Sequence, residues 1–360
     1  MEKHIVVGVD IAKAVFEVAV SKEPGRVADK RRLSRGAFLA FLAQIPRGTV
    51  VMEACGSAHY WGRKIRELGH EVVLLPPHRV RPYVTRNKTD RMDAKGILEA
   101  YRNADIHPVP VKSVSQQVLV CLHRFRSGWI SSRTAQVNTL RGLLRELGFV
   151  IPEGIEKVLP QVRVIIEDAD SGIPEGLRAV LATACDEIQA LGECIRMTER
   201  QLEAVAEQTP LVERLQSIPG IGLMTSTALV AFIGDVERFP SGRHFASYLG
   251  LTPREYSSGL KRRLGRISKR GDSYIRMLLI HGARSVLCHA KKAKEHDRLR
   301  TWALASSGGS STTRLPSHSP TSSPVSPGPS GSAGATSSHA PTPLREPEPR
   351  KALPTPELHE

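Results

Sequence analysis

The run from His4 to Asp10, HIVVGVD, followed three residues later by the alternating apolar and polar pattern of Ala14–Ser21, constrains the fold more than any other stretch. Two strand-period segments this close together fold back on each other as a β-hairpin. Thr49–Glu53 and Glu71–Leu75 repeat the β-branched run, and the gaps carry helical spacing at Gly36–Gln44, Ala58–Leu68 and Thr89–Asn103. Residues 1–110 are therefore predicted to form an α/β domain.

Farther along, the strand signals fade. Between residues 111 and 207, Leu181, Ala184, Ile188, Leu191, Ile195, Thr198, Leu202 and Val205 recur every three or four positions, one apolar stripe along a long helix. The stripe reads equally as a coiled-coil arm or as the core face of an ordinary amphipathic helix. Residues 208–304 form a third, mainly α unit, in which SIPGIG at 217–222 joins two helical patterns. Gly220 and Gly222 would allow a tight turn whose backbone N–H groups approach a phosphate, as in a helix-hairpin-helix module; a plain helix–helix turn is the alternative. From about residue 305 the composition changes abruptly. Residues 301–360 hold 11 of the 25 Pro and no Ile, Phe, Tyr, Met or Cys, so residues 305–360 are predicted to be a disordered tail.

At 360 residues the chain is long enough for two or three domains, and its 51 Lys+Arg against 36 Asp+Glu leave a net charge of +15. The tail is balanced, with four basic and four acidic residues, so the excess belongs to residues 1–300. It points to a polyanionic partner such as DNA and away from a small neutral substrate. The charge is concentrated between Ser258 and Arg300, with 13 Lys+Arg against three acids. There Lys261, Arg262, Arg263, Arg266, Lys269 and Arg270 are candidates to hold backbone phosphates. Five scattered Cys form neither a disulfide framework nor a zinc-ligand pattern. No 18 apolar residues occur in succession, which predicts a cytoplasmic protein without a membrane partner.

Four carboxylates stand where chemistry could use them. Asp10 and Glu53 end two strand candidates, and Asp90 and Asp93 lie three apart at a helix start, so both face the same way. Oxygen ligands of this kind can converge on one or two Mg²⁺ ions, which stabilise attacking and leaving oxygens in phosphoryl transfer. Each acid alone also reads as a helix cap or a solvated surface group. Ser258, within SSG and ahead of three bases, is a nucleophile only if activated; most such tripeptides are loops.

In this order VGVDIAK, VMEACGSAHYW, NKTDRMDAKGI, SIPGIG, FASYLGLTPREYSSG and GRISKRGDSYIR resemble the transposases of the bacterial insertion-sequence-110 family, over residues 4 to about 304. The resemblance implies an RuvC-like (RNase H-like) N-terminal domain with a DEDD tetrad of Asp10, Glu53, Asp90 and Asp93 holding Mg²⁺. It further implies a C-terminal transposase domain with Ser258 as nucleophile. Members look like recombinases guided by an element-encoded noncoding (bridge) RNA. They assemble as homo-oligomers, dimers and tetramers, in which one protomer's carboxylates meet another's serine. The family continues with a basic helical stretch where this chain turns into SSGGSSTTRLPSHSP at about Ser306, the vocabulary of a frameshifted reading. Two other readings fit the residues: a metal-dependent structure-specific nuclease resembling Holliday-junction resolvases, and a non-catalytic nucleic-acid-binding protein.

Overall fold

A computed structural model describes residues 4–84, 90–290 and Thr301. The tail expected to be disordered lies outside the described residues. The chain opens with strand β1 (Val6–Ile11), β2 (Val15–Ser21), β3 (Asp29–Ser34), helix α1 (Arg35–Gln44), β4 (Thr49–Glu53), α2 (Ala58–Glu67), β5 (Glu71–Leu75), the short α3 (Pro77–Val80) and α4 (Asp90–Tyr101). These strands form one sheet in the order β3-β2-β1-β4-β5. The first three run antiparallel, opening on the expected hairpin, while β4 and β5 run parallel to β1. This mixed topology is consistent with an RuvC-like domain.

Alternation divides the sheet's apolar residues between two faces. Val7, Val9, Phe16, Val18, Val50, Met52 and Leu74 pack under α1 and α2 with Phe38, Leu42, Trp61 and Ile65. The Phe16, Phe38 and Trp61 rings meet edge-on, at 4.9–5.6 Å between centroids. On the other face Val51, Val73 and Leu75 meet Val80 and Ile97, and Ala19 meets Ala94 and Leu98 of α4. Strand β3 has no counterpart among the strand candidates read from the sequence. Its DKRRLS lacks apolar alternation, and it forms because β2 offers a free edge that a charged strand can close without inviting further strands.

The middle of the chain consists of α5 (Val114–Glu146), α6 (Ile155–Glu167) and α7 (Glu175–Glu207). A Ser113–Gln116 capping box starts α5. Arg126 pairs with Glu199 at 2.7 Å and Gln136 with Glu187 at 3.0 Å, so α5 and α7 lie antiparallel along their length. The seam of α7 is Leu181, Cys185, Ile188, Gly192, Ile195, Thr198 and Leu202. Of the stripe read from the sequence, Ala184, Leu191 and Val205 fall at its half-buried margin, and Leu181, Cys185, Ile188 and Leu202 pack within the same chain.

Beyond Thr209 come α8 (Pro210–Gln216), α9 (Leu223–Ile233), α10 (Gly242–Tyr248), the two-stranded hairpin of β6 (Pro253–Glu255) and β7 (Leu264–Ile267), and α11 (Ser273–Ala290). Buried His123 of α5 ties this region together, 3.0 Å from the Tyr274 hydroxyl of α11 and 3.1 Å from Thr227 Oγ1 of α9. Among the described residues no helix is long and apolar enough to cross a membrane.

Candidate active site

Parallel pairing of Val9 with Met52 sets Asp10 beside Glu53, at the carboxyl ends of neighbouring strands. Both are half-buried; burial raises the pKa of the Cys55 thiol, and the Glu53 and Asp10 charges raise it further. Helix α4 approaches this point because Gly8, two residues before Asp10 and on the same face, has no side chain. A Cβ there would lie 2.7 Å from the Ala94 carbonyl oxygen and 2.7 Å from Leu98 Cγ. Asp93, the residue before Ala94 on this helix, has its Oδ1 buried with no hydrogen-bond partner. Asp90 is the first residue of α4, and its side chain lies outside the described residues.

One acid escaped the sequence reading. Glu17, 6% exposed, is the direct cross-strand partner of Asp10 and therefore shares its face; its Oε1 meets Arg32 Nε of β3 at 2.8 Å. Like charges directly opposite in an antiparallel pair are unfavourable, and the arginine offsets this one. Nothing in VFEVAVS marks Glu17, since its role depends on a register that only the folded sheet defines.

Oxygen donors alone, one of them buried and unsatisfied, suit a hard divalent cation. Among the described residues no three His, Cys, Asp or Glu are gathered closely enough to hold a metal ion.

Ser258 lies at the tip of the β6–β7 hairpin. Backbone bonds in both directions join it to Lys261 at 3.3 Å, across a two-residue loop in which Gly259 takes a φ of 57°. Its hydroxyl is exposed and makes no hydrogen bond among the described residues, so within one chain it is not tied to Asp10, Glu53 or Asp93. Neighbouring Ser257 instead builds the turn, donating to Glu255 Oε1 at 2.6 Å and accepting from the Arg263 N–H at 3.1 Å. Lys261, Arg262, Arg263, Arg266, Lys269 and Arg270 are all exposed, and Lys269 holds a φ of 55°, unusual for a lysine.

The two candidate phosphate-binding glycines differ. Gly222 is exposed and precedes the first turn of α9. Gly220, at a φ of 84°, faces α11, and a Cβ on it would lie 2.8 Å from the Gly282 carbonyl oxygen. Close packing of turn on helix accounts for glycine at 220.

A mixed sheet with acids at adjacent strand ends, joined to a helical unit that displays a cationic hairpin, defines a two-part α/β and helical protein with the components for work on phosphodiesters. Residues 7–149 match the DEDD transposase family of IS110, and residues 212–298 match the family described as transposase IS116/IS110/IS902. The chain is 42% identical to a probable family 20 transposase of Pseudomonas aeruginosa over 294 residues, 81% of this chain and 87% of the relative. It is 38% identical to the transposase for insertion sequence element IS1111A of Coxiella burnetii, covering 83% and 82% of the two chains. With the transposase for element IS1328 of Yersinia enterocolitica the identity is 36%, over 79% and 84%. This chain belongs to the IS110 family of transposases.

Proposed function

We propose that this transposase cuts and rejoins DNA strands with Ser258 as nucleophile, assisted by Mg²⁺ at Asp10, Glu53, Asp90 and Asp93 and guided by an element-encoded noncoding RNA. The observations that carry the reading are Asp10 beside Glu53 at adjacent strand ends and, on the helix packed over Gly8 of β1, the buried and unpartnered Oδ1 of Asp93. Bound there, Mg²⁺ would supply charge that stabilises the attacking and leaving oxygens.

The chain's own residues do the rest. Ser258 Oγ forms a bond to the phosphorus and loses its proton, while one bridging P–O bond breaks and that oxygen leaves as a hydroxyl with a proton. The ester energy is kept in the serine linkage, and a hydroxyl from another strand reverses the step. Lys261, Arg262 and Arg263 place cations where charge develops on the phosphoryl oxygens. With Ser258 untied to the acids of its own chain, a homo-oligomer supplies the carboxylates from one protomer and the serine from another. Base pairing by the RNA would select sequence, leaving the protein to hold backbones.

A trapped reaction tests the nucleophile. The adduct should map to Ser258, vanish in Ser258→Ala and persist in Ser257→Ala, whose hydroxyl only shapes the turn. The free Ser258 hydroxyl also admits the nuclease reading, with water as nucleophile; Mg²⁺-dependent nicking without any adduct would establish that one. Absence of both nicking and adduct would leave a binding protein.

A further inference from the structure

Besides the acids and the hairpin, three cations from different parts of the chain, Lys112, Arg124 and Arg238, crowd one place. Lys112, in the segment between α4 and α5, is half-buried with its Nζ 5.6 Å from the centroid of the Phe232 ring at the end of α9. Arg124 of α5 lies over the same ring at 5.3 Å. The Lys112 carbonyl accepts from Arg63 Nη1 of α2 at 2.8 Å. Arg238, in the loop after α9, is sandwiched against Phe239 and Tyr248 at 4.5 and 4.7 Å and donates from Nη1 to the Pro108 carbonyl at 3.3 Å.

Opposing charge is scarce. Asp272 meets Arg124 at 3.4 Å, but its Oδ1 already accepts the Tyr274 and Ile275 N–H groups at the start of α11. Arg238 Nε and Nη2 are buried with no hydrogen-bond partner, although a guanidinium desolvates only at a cost that bonds to an acceptor normally offset. Burial lowers the Lys112 pKa, and the Arg124 and Arg238 charges lower it further against the pull of Asp272. A plain structural junction would place acids here. Two cations against one aromatic ring repel each other, so the arrangement suits a missing anion with several acceptor oxygens.

We propose that Lys112 and Arg124, with the buried charge of Arg238 behind them, form a second nucleic-acid site, at the junction of the sheet domain and the C-terminal helices, which seats backbone phosphodiesters beside Phe232. It rests on the reading of the protein as a nucleic-acid enzyme and adds a site distinct from the β6–β7 hairpin. Phosphodiesters come from either DNA or RNA, and the test separates them.

The full chain, as Lys112→Met with Arg124→Gln, is titrated with a 30-base-pair duplex DNA and a 30-nucleotide single-stranded RNA across a salt series. Loss of two phosphate contacts makes the slope of log K against log salt shallower by about 1.8 on the duplex or about 1.4 on the single strand. A change confined to one probe assigns the site to that nucleic acid. If the double variant does not fold, Arg124→Gln alone, at a side chain 63% exposed, is expected to shift the slope by about half as much. Unchanged slopes on both probes, with or without a lower Tm, would overturn the proposal and leave a structural junction. Lys261→Ala with Arg262→Ala is measured in parallel. If that pair shifts the slope and the junction variant does not, only this second site fails; if neither does, the nucleic-acid reading fails as well.

Discussion

A hydrogen atom in place of a methyl group at Gly8 decides how close α4 comes to Asp10. Gly8→Ala would drive its Cβ against the Ala94 carbonyl and Leu98, a backbone contact that yields only if the helix moves. Overpacking of this kind costs about 1–3 kcal/mol. The expected result is a folded protein with a lower Tm and strand cleavage reduced at least about tenfold, because Asp93 travels with α4; parent-like cleavage would detach Asp93 from the site. His123 gives a second test. Burial lowers its pKa to about 4, and since Thr227 Oγ1 donates to the Leu223 carbonyl, the imidazole donates from Nε2 and accepts the Tyr274 hydroxyl at Nδ1. Between about pH 6.5 and 4 the unfolded chain therefore binds a proton that the folded chain refuses. Stability falls with pH through that window, by up to about 1.4 kcal/mol per unit. Tm measured from pH 7 to 4.5 should fall less steeply in His123→Gln than in the parent. Such residues were invisible in sequence because their partners are distant in the chain. Asp10 and Glu53 were legible because an acid ending a β-branched run needs a reason to be there, whereas Gly8, Glu17 and His123 acquire theirs only from a register or a helix crossing.

At the scale of elements, the α5–α7 pair offers two opposite outcomes from one seam. Leu202 is fully buried between Leu119 and Ala231, and Leu202→Ala should cost about 2–5 kcal/mol, read by denaturant unfolding. Gly192 is also buried, yet an added Cβ would meet only the ends of Arg196 and Arg133, at 3.6 and 3.9 Å. Gly192→Ala should therefore raise stability by about 0.5–1 kcal/mol through helix propensity. The boundaries of β4 and β5 and the existence of α7 were readable because a buried parallel strand and a long apolar stripe each leave a strong pattern. Strand β3 left none, being held by pairing and charge, and a stripe on α7 alone could not say whether its partner was another chain or α5.

For the molecule as a whole, the lack of any hydrogen bond from the Ser258 hydroxyl to an acid of its own chain makes the proposed assembly testable by mixing two inactive variants. If the site is shared between protomers, Asp10→Asn and Ser258→Ala combined in equal amounts restore roughly a quarter of the cleavage sites, since half the dimers are mixed and each of those has one intact site. If every site lies within one chain, the mixture stays inactive. The order of the motifs made the family legible over most of the chain; which copy would supply which group was not, because a linear chain does not record it. The long helix pair bears on this in another way. Thirty-three residues of α5 span about 50 Å, and that helix is pinned at one end by His123 and Gln116 to the C-terminal helices. It is a lever with its fulcrum beside the C-terminal helices: a turn of 5° at the base sweeps the far tip through about 4 Å. Rearrangement of strands at the centre would thus be felt as a large, directed displacement at the periphery, and restraint of the tip would be felt as leverage on the centre.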